Sequence, residues 1–143
     1  MCQTADLLVM VVEPDEAELK ITCDSLNRIG ISKIICVTTY VDAIAALKED
    51  SDVDIIIADF MLNAQKPLGM LLCGAVKKEH PGILFILISK EYSCSVVLES
   101  LPLADDILDK NRENEIEELM GKWIRLAKLK NTTREILNGT FTQ

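Results

Sequence analysis

Basic charge is scarce in this sequence: 15 Lys and Arg stand against 23 Asp and Glu, a formal net charge of -8. Surfaces that bind nucleic acid neutralise phosphates with clustered Lys and Arg, so that class of partner is excluded for this chain. Histidine is reduced to one residue, His80, and the five cysteines (Cys2, Cys23, Cys36, Cys73 and Cys94) form no CxxC pair. A zinc site needs paired Cys or His at short spacing, and none is present. Scattered cysteines in apolar surroundings read instead as reduced core thiols of a cytoplasmic protein. No run approaches the roughly 18 continuous apolar residues of a membrane span. The apolar opening has no basic flank before it and no small-residue cleavage site after it, which is not the pattern of a secretory signal. No Gly-rich phosphate loop, GxSxG elbow or dinucleotide fingerprint follows the first apolar run, which speaks against an unrelated enzyme on a similar fold.

What the chain does have is a 49% hydrophobic composition over 143 residues, enough for the core of one domain. Five short runs of Val, Ile and Leu recur at 7–12, 33–37, 54–58, 83–88 and, more weakly, 106–109. Their unbroken apolar character predicts strands covered on both faces. Helical periodicity fills the gaps. Leu19, Cys23, Leu26 and Ile29 form one stripe, with Gly30 placed to stop that helix. Val41, Ile44 and Leu47 form a second, and Leu68, Leu71, Leu72, Ala75 and Val76 a third, ended by Pro81-Gly82. The segment from Tyr92 to Leu101 is a weaker helix, closed by Pro102. Ile116, Leu119, Met120, Trp123, Ile124 and Ala127 mark the last helix, on which Trp123 and Met120 read as core or dimer face. Residues 131–143 lack sustained periodicity and read as a frayed tail or linker stump, leaving 1–130 as the domain. Five alternations of strand and helix predict an α/β fold, a doubly wound five-stranded parallel sheet flanked by helices on both faces.

In such a sheet the chemistry lies beyond the carboxyl ends of the strands. Glu13, Pro14, Asp15 and Glu16 follow the first run; Asp59, Phe60 and Met61 follow the third; Ser89 and Lys90 follow the fourth; Lys110 follows the fifth. Polar residues are common at strand ends, so any one of these is unremarkable by itself. A carboxylate, an acidic turn, a hydroxyl and a lysine converging from four strands make a coherent set.

This set resembles the receiver domain of two-component response regulators over about residues 6–129. DIIIADFML resembles the third strand and its phosphate-accepting aspartate, here Asp59. LLVMVVEPDEAE resembles the first strand and acidic turn, FILISKE the fourth strand with its switch hydroxyl, here Ser89, and DDILDK the fifth strand with its lysine, here Lys110. The resemblance implies flavodoxin-like topology and a signalling role rather than a general enzymatic one. In it Asp59 accepts a phosphoryl group, Lys110 is its charge partner and Ser89 turns toward the new phosphate. It also implies Mg²⁺, held by Glu13, Asp59, the Met61 carbonyl and, more loosely, Asp15. The implied partners are a sensor histidine kinase or phosphotransfer protein, a downstream protein or output domain, and a second copy meeting through the fourth helix, fifth strand and fifth helix.

Four positions depart from the family pattern. Pro14 stands where a second acid is usual, which implies weaker Mg²⁺ binding unless Asp15 reaches back. The alternative for Asp15 is an acid in a helix first turn with Pro14 at its first position. Asn63 and Asn111 replace prolines, and Lys90 replaces a small residue. These departures keep a second reading open, a pseudo-receiver that holds the fold as an interaction module without the chemistry. His80 reads as a solvated helix cap, and Glu113, Glu115, Glu117 and Glu118 as a solvated helix start.

Overall fold

The five apolar runs become strands because each can bury both faces. A computed structural model of the chain describes residues 7–50, 52–62, 67–91, 93, 95, 97, 103–112 and 115–138. Its strands are β1 (Leu8–Val12), β2 (Lys33–Val37), β3 (Ile55–Asp59), β4 (Leu84–Ser89) and β5 (Asp106–Asp109). All pair in parallel, in the order β2-β1-β3-β4-β5. The helices are α1 (Glu16–Arg28), α2 (Tyr40–Glu49), α3 (Leu68–Glu79) and α4 (Glu115–Asn138). Strand order reverses between β1 and β3, so a crevice opens where Val12 and Asp59 end their strands.

Alternation along the central strands divides the core in two. Met10, Val12, Ile56, Ala58, Phe85, Leu87 and Ile107 face Ala43 and Leu47 of α2 and Leu72, Cys73 and Val76 of α3. Val9, Val11, Ile55, Ile57, Ile86, Ile88 and Leu108 face Leu26 of α1 and Met120, Trp123 and Ala127 of α4. Trp123 is wholly buried, and its indole N–H donates to Asp106 at 3.1 Å. It therefore belongs to the core.

The helix ends follow local chemistry. Asp15 is the N-cap of α1: its Oδ1 accepts the N–H groups of Ala17 (2.9 Å) and Glu18 (3.1 Å). Pro14 therefore precedes the cap instead of opening the helix, which begins two residues later at Glu16. Gly30 has φ 97, a left-handed conformation, and passes its N–H to Asn27, while Ile31 donates to Leu26. Leu26 and Ile31 are both fully buried, completing the Schellman closure with its apolar contact. Thr39 caps α2 through the Asp42 N–H at 3.0 Å.

Some apolar positions differ from expectation. Val41 is 73% and Leu71 59% exposed; each lies at the edge of its stripe, and Ala43 and Cys73 take the inward places. The fourth helical segment, 92–101, falls mostly outside the described residues, although Val97 donates its N–H to the Ser93 carbonyl. Residues 131–138, expected as tail, continue α4 without a break. Ile136 and Leu137 are exposed there, and the segment carries no sustained apolar period in the sequence.

Gly69 decides how closely α3 meets the end of β3. Its N–H donates to the Phe60 carbonyl at 3.0 Å. A Cβ at Gly69 would overlap the Asp59 carbonyl oxygen and lie 2.9 Å from the Phe60 Cα. Backbone cannot yield as a flexible side chain can, so Gly69→Ala is expected to cost about 1–3 kcal/mol. Denaturant titration checks this against Gly74→Ala, where the added methyl meets nothing within 4 Å and stability should rise by up to about 1 kcal/mol.

Candidate functional site

Glu13, Asp59, Ser89 and Lys110 stand at the ends of four neighbouring strands, so the sheet itself brings them together. With Pro14, Asp15, Glu18, Met61 and Lys90 they line a cleft of about 510 Å³. Lys110 is its hub. The ammonium donates to Asp59 Oδ2 at 2.9 Å and also contacts Glu13 Oε1 and Glu18 Oε2. Its side chain is only 11% exposed. Burial pulls the lysine pKa down, but the hydrogen bonds it donates to Glu13, Glu18 and Asp59 outweigh it, and the group is held above its ordinary value.

The carboxylates divide in behaviour. Glu13 is buried, with Oε2 accepting the Asp15 N–H at 3.1 Å and its own N–H bonded to the Val37 carbonyl at 3.0 Å. Burial, with help from the Asp59 charge, raises its pKa despite the Lys110 contact. Asp59 uses Oδ1 to accept the Met61 N–H at 3.2 Å, which fixes the carboxylate plane against the turn. For Glu18, burial acts upward, yet hydrogen bonds and charge from Lys110 and Lys90 prevail and its pKa falls.

Ser89 is buried at the end of β4, and its hydroxyl donates to the Glu91 carbonyl at 3.2 Å. Its carbonyl accepts the Lys110 N–H at 2.9 Å, tying the two loops together. Asn111 adds a second tie, its amide donating to the Lys90 carbonyl at 2.6 Å and to Asp109 at 3.1 Å. The side chain that replaces a proline thus braces the loop after β5 against the loop after β4. Lys90 bends back to Glu18 at 2.8 Å. Asn63 lies outside the described residues.

Seen whole, three carboxylates (Glu13, Glu18, Asp59) share two ammonium groups (Lys90, Lys110), a formal excess of one negative charge. A cleft with that excess favours a cation over a further anion on charge grounds. Among the described residues no three His, Cys, Asp or Glu side chains form a ready cation cage. Mg²⁺ does not require one, since it takes one or two carboxylates and keeps several waters. Glu13 and Asp59 line the cleft and offer oxygen donors of that kind, each oxygen here held by Lys110 or by a backbone N–H. Asp15 Oδ1 is engaged as the helix cap.

No family model matches the sequence, and no curated protein matches it. Solved structures do. The signal receiver domain of an HD domain-containing protein from Pseudomonas fluorescens Pf-5 superposes with TM-score 0.77 at 17% identity, covering 94% of this chain and 96% of that one. The beryllofluoride-activated DrrB receiver domain gives TM-score 0.69 at 23% identity, covering 85% and 97%. The chain has the receiver-domain fold. NtrX from Brucella abortus gives TM-score 0.74 at 18% identity; the match covers 91% of this chain but only 28% of that longer protein.

On this receiver fold the sequence-predicted residues Glu13, Asp15, Asp59, Met61, Ser89 and Lys110 all reach one cleft. Glu18 was missed. Three residues after the Asp15 cap, it has the spacing of a capping-box glutamate, which would reach back to the cap N–H. Glu13 already accepts that N–H, and Glu18 is thereby released to bind both lysines.

Proposed function

We propose that this chain is a response-regulator receiver that accepts a phosphoryl group on Asp59 and relays it as a change of interaction surface. The observation that carries the reading is the Asp59 carboxylate at the end of β3, 2.9 Å from a buried lysine ammonium and in one cleft with Ser89. An Asp59 oxygen attacks the phosphorus of a phosphohistidine or a small acyl phosphate. The bond from phosphorus to the donor breaks, the donor leaves with that electron pair, and an acyl phosphate remains on Asp59. Lys110 stays hydrogen-bonded beside the added negative charge. The Ser89 hydroxyl exchanges the Glu91 carbonyl for a phosphoryl oxygen and draws the β4 loop inward.

Glu13, Asp59 and the Met61 carbonyl would hold Mg²⁺, which when bound offsets phosphoryl charge. The donor is a sensor histidine kinase or phosphotransfer protein in the cytoplasm. The recipients are a downstream protein or output domain and a second copy of the chain, meeting through the 92–101 segment, β5 and α4.

Incubation with acetyl phosphate and Mg²⁺ should add one phosphate by intact mass. An unchanged mass, under conditions that label a control receiver, would replace this reading with that of an unphosphorylated interaction module. Pro14 sets a second expectation. Pro14→Asp restores a carboxylate beside Glu13, so calorimetry should record tighter Mg²⁺ binding, about tenfold if one added ligand contributes about 1.4 kcal/mol. Equal affinity would mean that water or Asp15 already completes the shell.

A further inference from the structure

Not all the cysteines are isolated core thiols. Cys73 is buried in that way, and Cys2 and Cys94 lie outside the described residues. Cys23 on α1 and Cys36 on β2 bring their sulfurs to 3.1 Å, a contact made across 13 positions of sequence. Cys23 is half-buried and Cys36 exposed. β2 is an edge strand of the sheet, so Cys36 is open to a reagent from solvent.

We propose that Cys23 and Cys36 are an oxidation site, a dithiol that a low-molecular-weight disulfide such as oxidised glutathione converts into a bridge between α1 and β2. The sulfurs need to close by about 1 Å to reach bonding distance. Cys36, as thiolate, attacks one sulfur of the reagent, forming a mixed disulfide and expelling one small thiolate. Cys23, as thiolate, then attacks the Cys36 sulfur, closing the protein disulfide and expelling the second. The two cysteine protons pass through solvent to the two small thiolates; the protein loses two electrons and the reagent gains them.

The order of attack follows from position. Burial, with the hydrogen bond to Cys36, pushes the Cys23 thiol up to about 12, so Cys23 waits as the resolving group. Cys73, pushed up to about 11 by burial, is an internal control that stays reduced. The bridge would pin α1, which also carries Asp15 at its cap and Glu18 in its first turn. The inference does not depend on phosphoryl transfer.

The test equilibrates the full chain without oxygen in graded mixtures of reduced and oxidised glutathione, then alkylates and maps peptides without reduction. The expected product is lighter by about 2 Da, two hydrogens, with Cys23 and Cys36 peptides linked and Cys73 alkylated. Its thermal midpoint should rise by about 5–15 °C, because the bridge closes a short loop in the unfolded chain, and dithiothreitol should reverse the rise. Cys23→Ser should stop at a mixed disulfide on Cys36, and Cys36→Ser should form neither product. The proposal is overturned if wild-type protein keeps both thiols alkylatable at a poise that loads glutathione onto Cys36 in Cys23→Ser. It is equally overturned if Cys36 pairs instead with Cys2 or Cys94.

Discussion

Asp59→Asn is expected to gain no phosphate from acetyl phosphate under conditions in which the wild-type chain gains one. The loss should be complete, because the effect is one of chemistry and not of fit. A carboxylate oxygen brings both charge and an electron pair to phosphorus; a carboxamide oxygen is neutral, and its product would be a cation until a proton left. Neighbouring groups offer no substitute. Glu13 is buried with one oxygen on Lys110 and the other on the Asp15 N–H, and Glu18 spans Lys110 and Lys90. The fold should survive, since asparagine keeps an oxygen that can accept the Met61 N–H or the Lys110 ammonium. A thermal midpoint near wild type alongside an unchanged mass would assign the loss to the acceptor. Residual labelling of Asp59→Asn would move the acceptor to another side chain, which peptide mapping would locate.

That Asp59 could be picked out at all depended on the sheet. A run such as IIIAD is legible because a doubly covered strand admits only apolar residues, so the first polar one marks where the strand leaves the core. The same logic located Glu13 and Ser89, whereas Lys110, one place beyond the polar Asp109, was marked by the resemblance to a receiver. Helices gave less. Val41 and Leu71 fit a helical period and are nonetheless exposed, because periodicity defines a stripe but not its centre. Glu18 escaped because its partners, Lys90 and Lys110, come from two other strand ends. The Cys23–Cys36 contact escaped for a similar reason: 13 positions of separation match no local motif, and the pair forms only when α1 lies across the sheet. The last two helical turns, 131–138, left no signal because exposed Ile136 and Leu137 add no apolar period to the sequence.

The five-charge cluster makes Lys110 a structural residue as well as the proposed charge partner of a phosphoryl group, and Lys110→Met tests the structural part. Methionine keeps most of the apolar stem but removes the ammonium that Glu13, Glu18 and Asp59 share. Glu13, 1% exposed, would be left charged without an ion partner, a change that costs about 3–5 kcal/mol when one half of a buried pair is removed. The gap between wild type and Lys110→Met should vary with pH in a set direction. Lys110 has a raised pKa in the fold, so its contribution is complete below its ordinary value of 10.5 and is lost as pH climbs through the higher folded value. Glu18 has a lowered one, so its contribution is present above its ordinary 4.5 and disappears as pH falls through the depressed value. Glu13 behaves oppositely: its raised pKa means that ionisation costs stability as pH rises above 4.5, and removing Lys110 deepens that cost. All three effects widen the gap between these limits and narrow it beyond them. Urea titrations of both proteins across that range should therefore trace a plateau with two falling edges. A gap independent of pH would assign the loss to packing of the lysine stem, and the shared ammonium would have to be given up as the tie that holds these strand ends together.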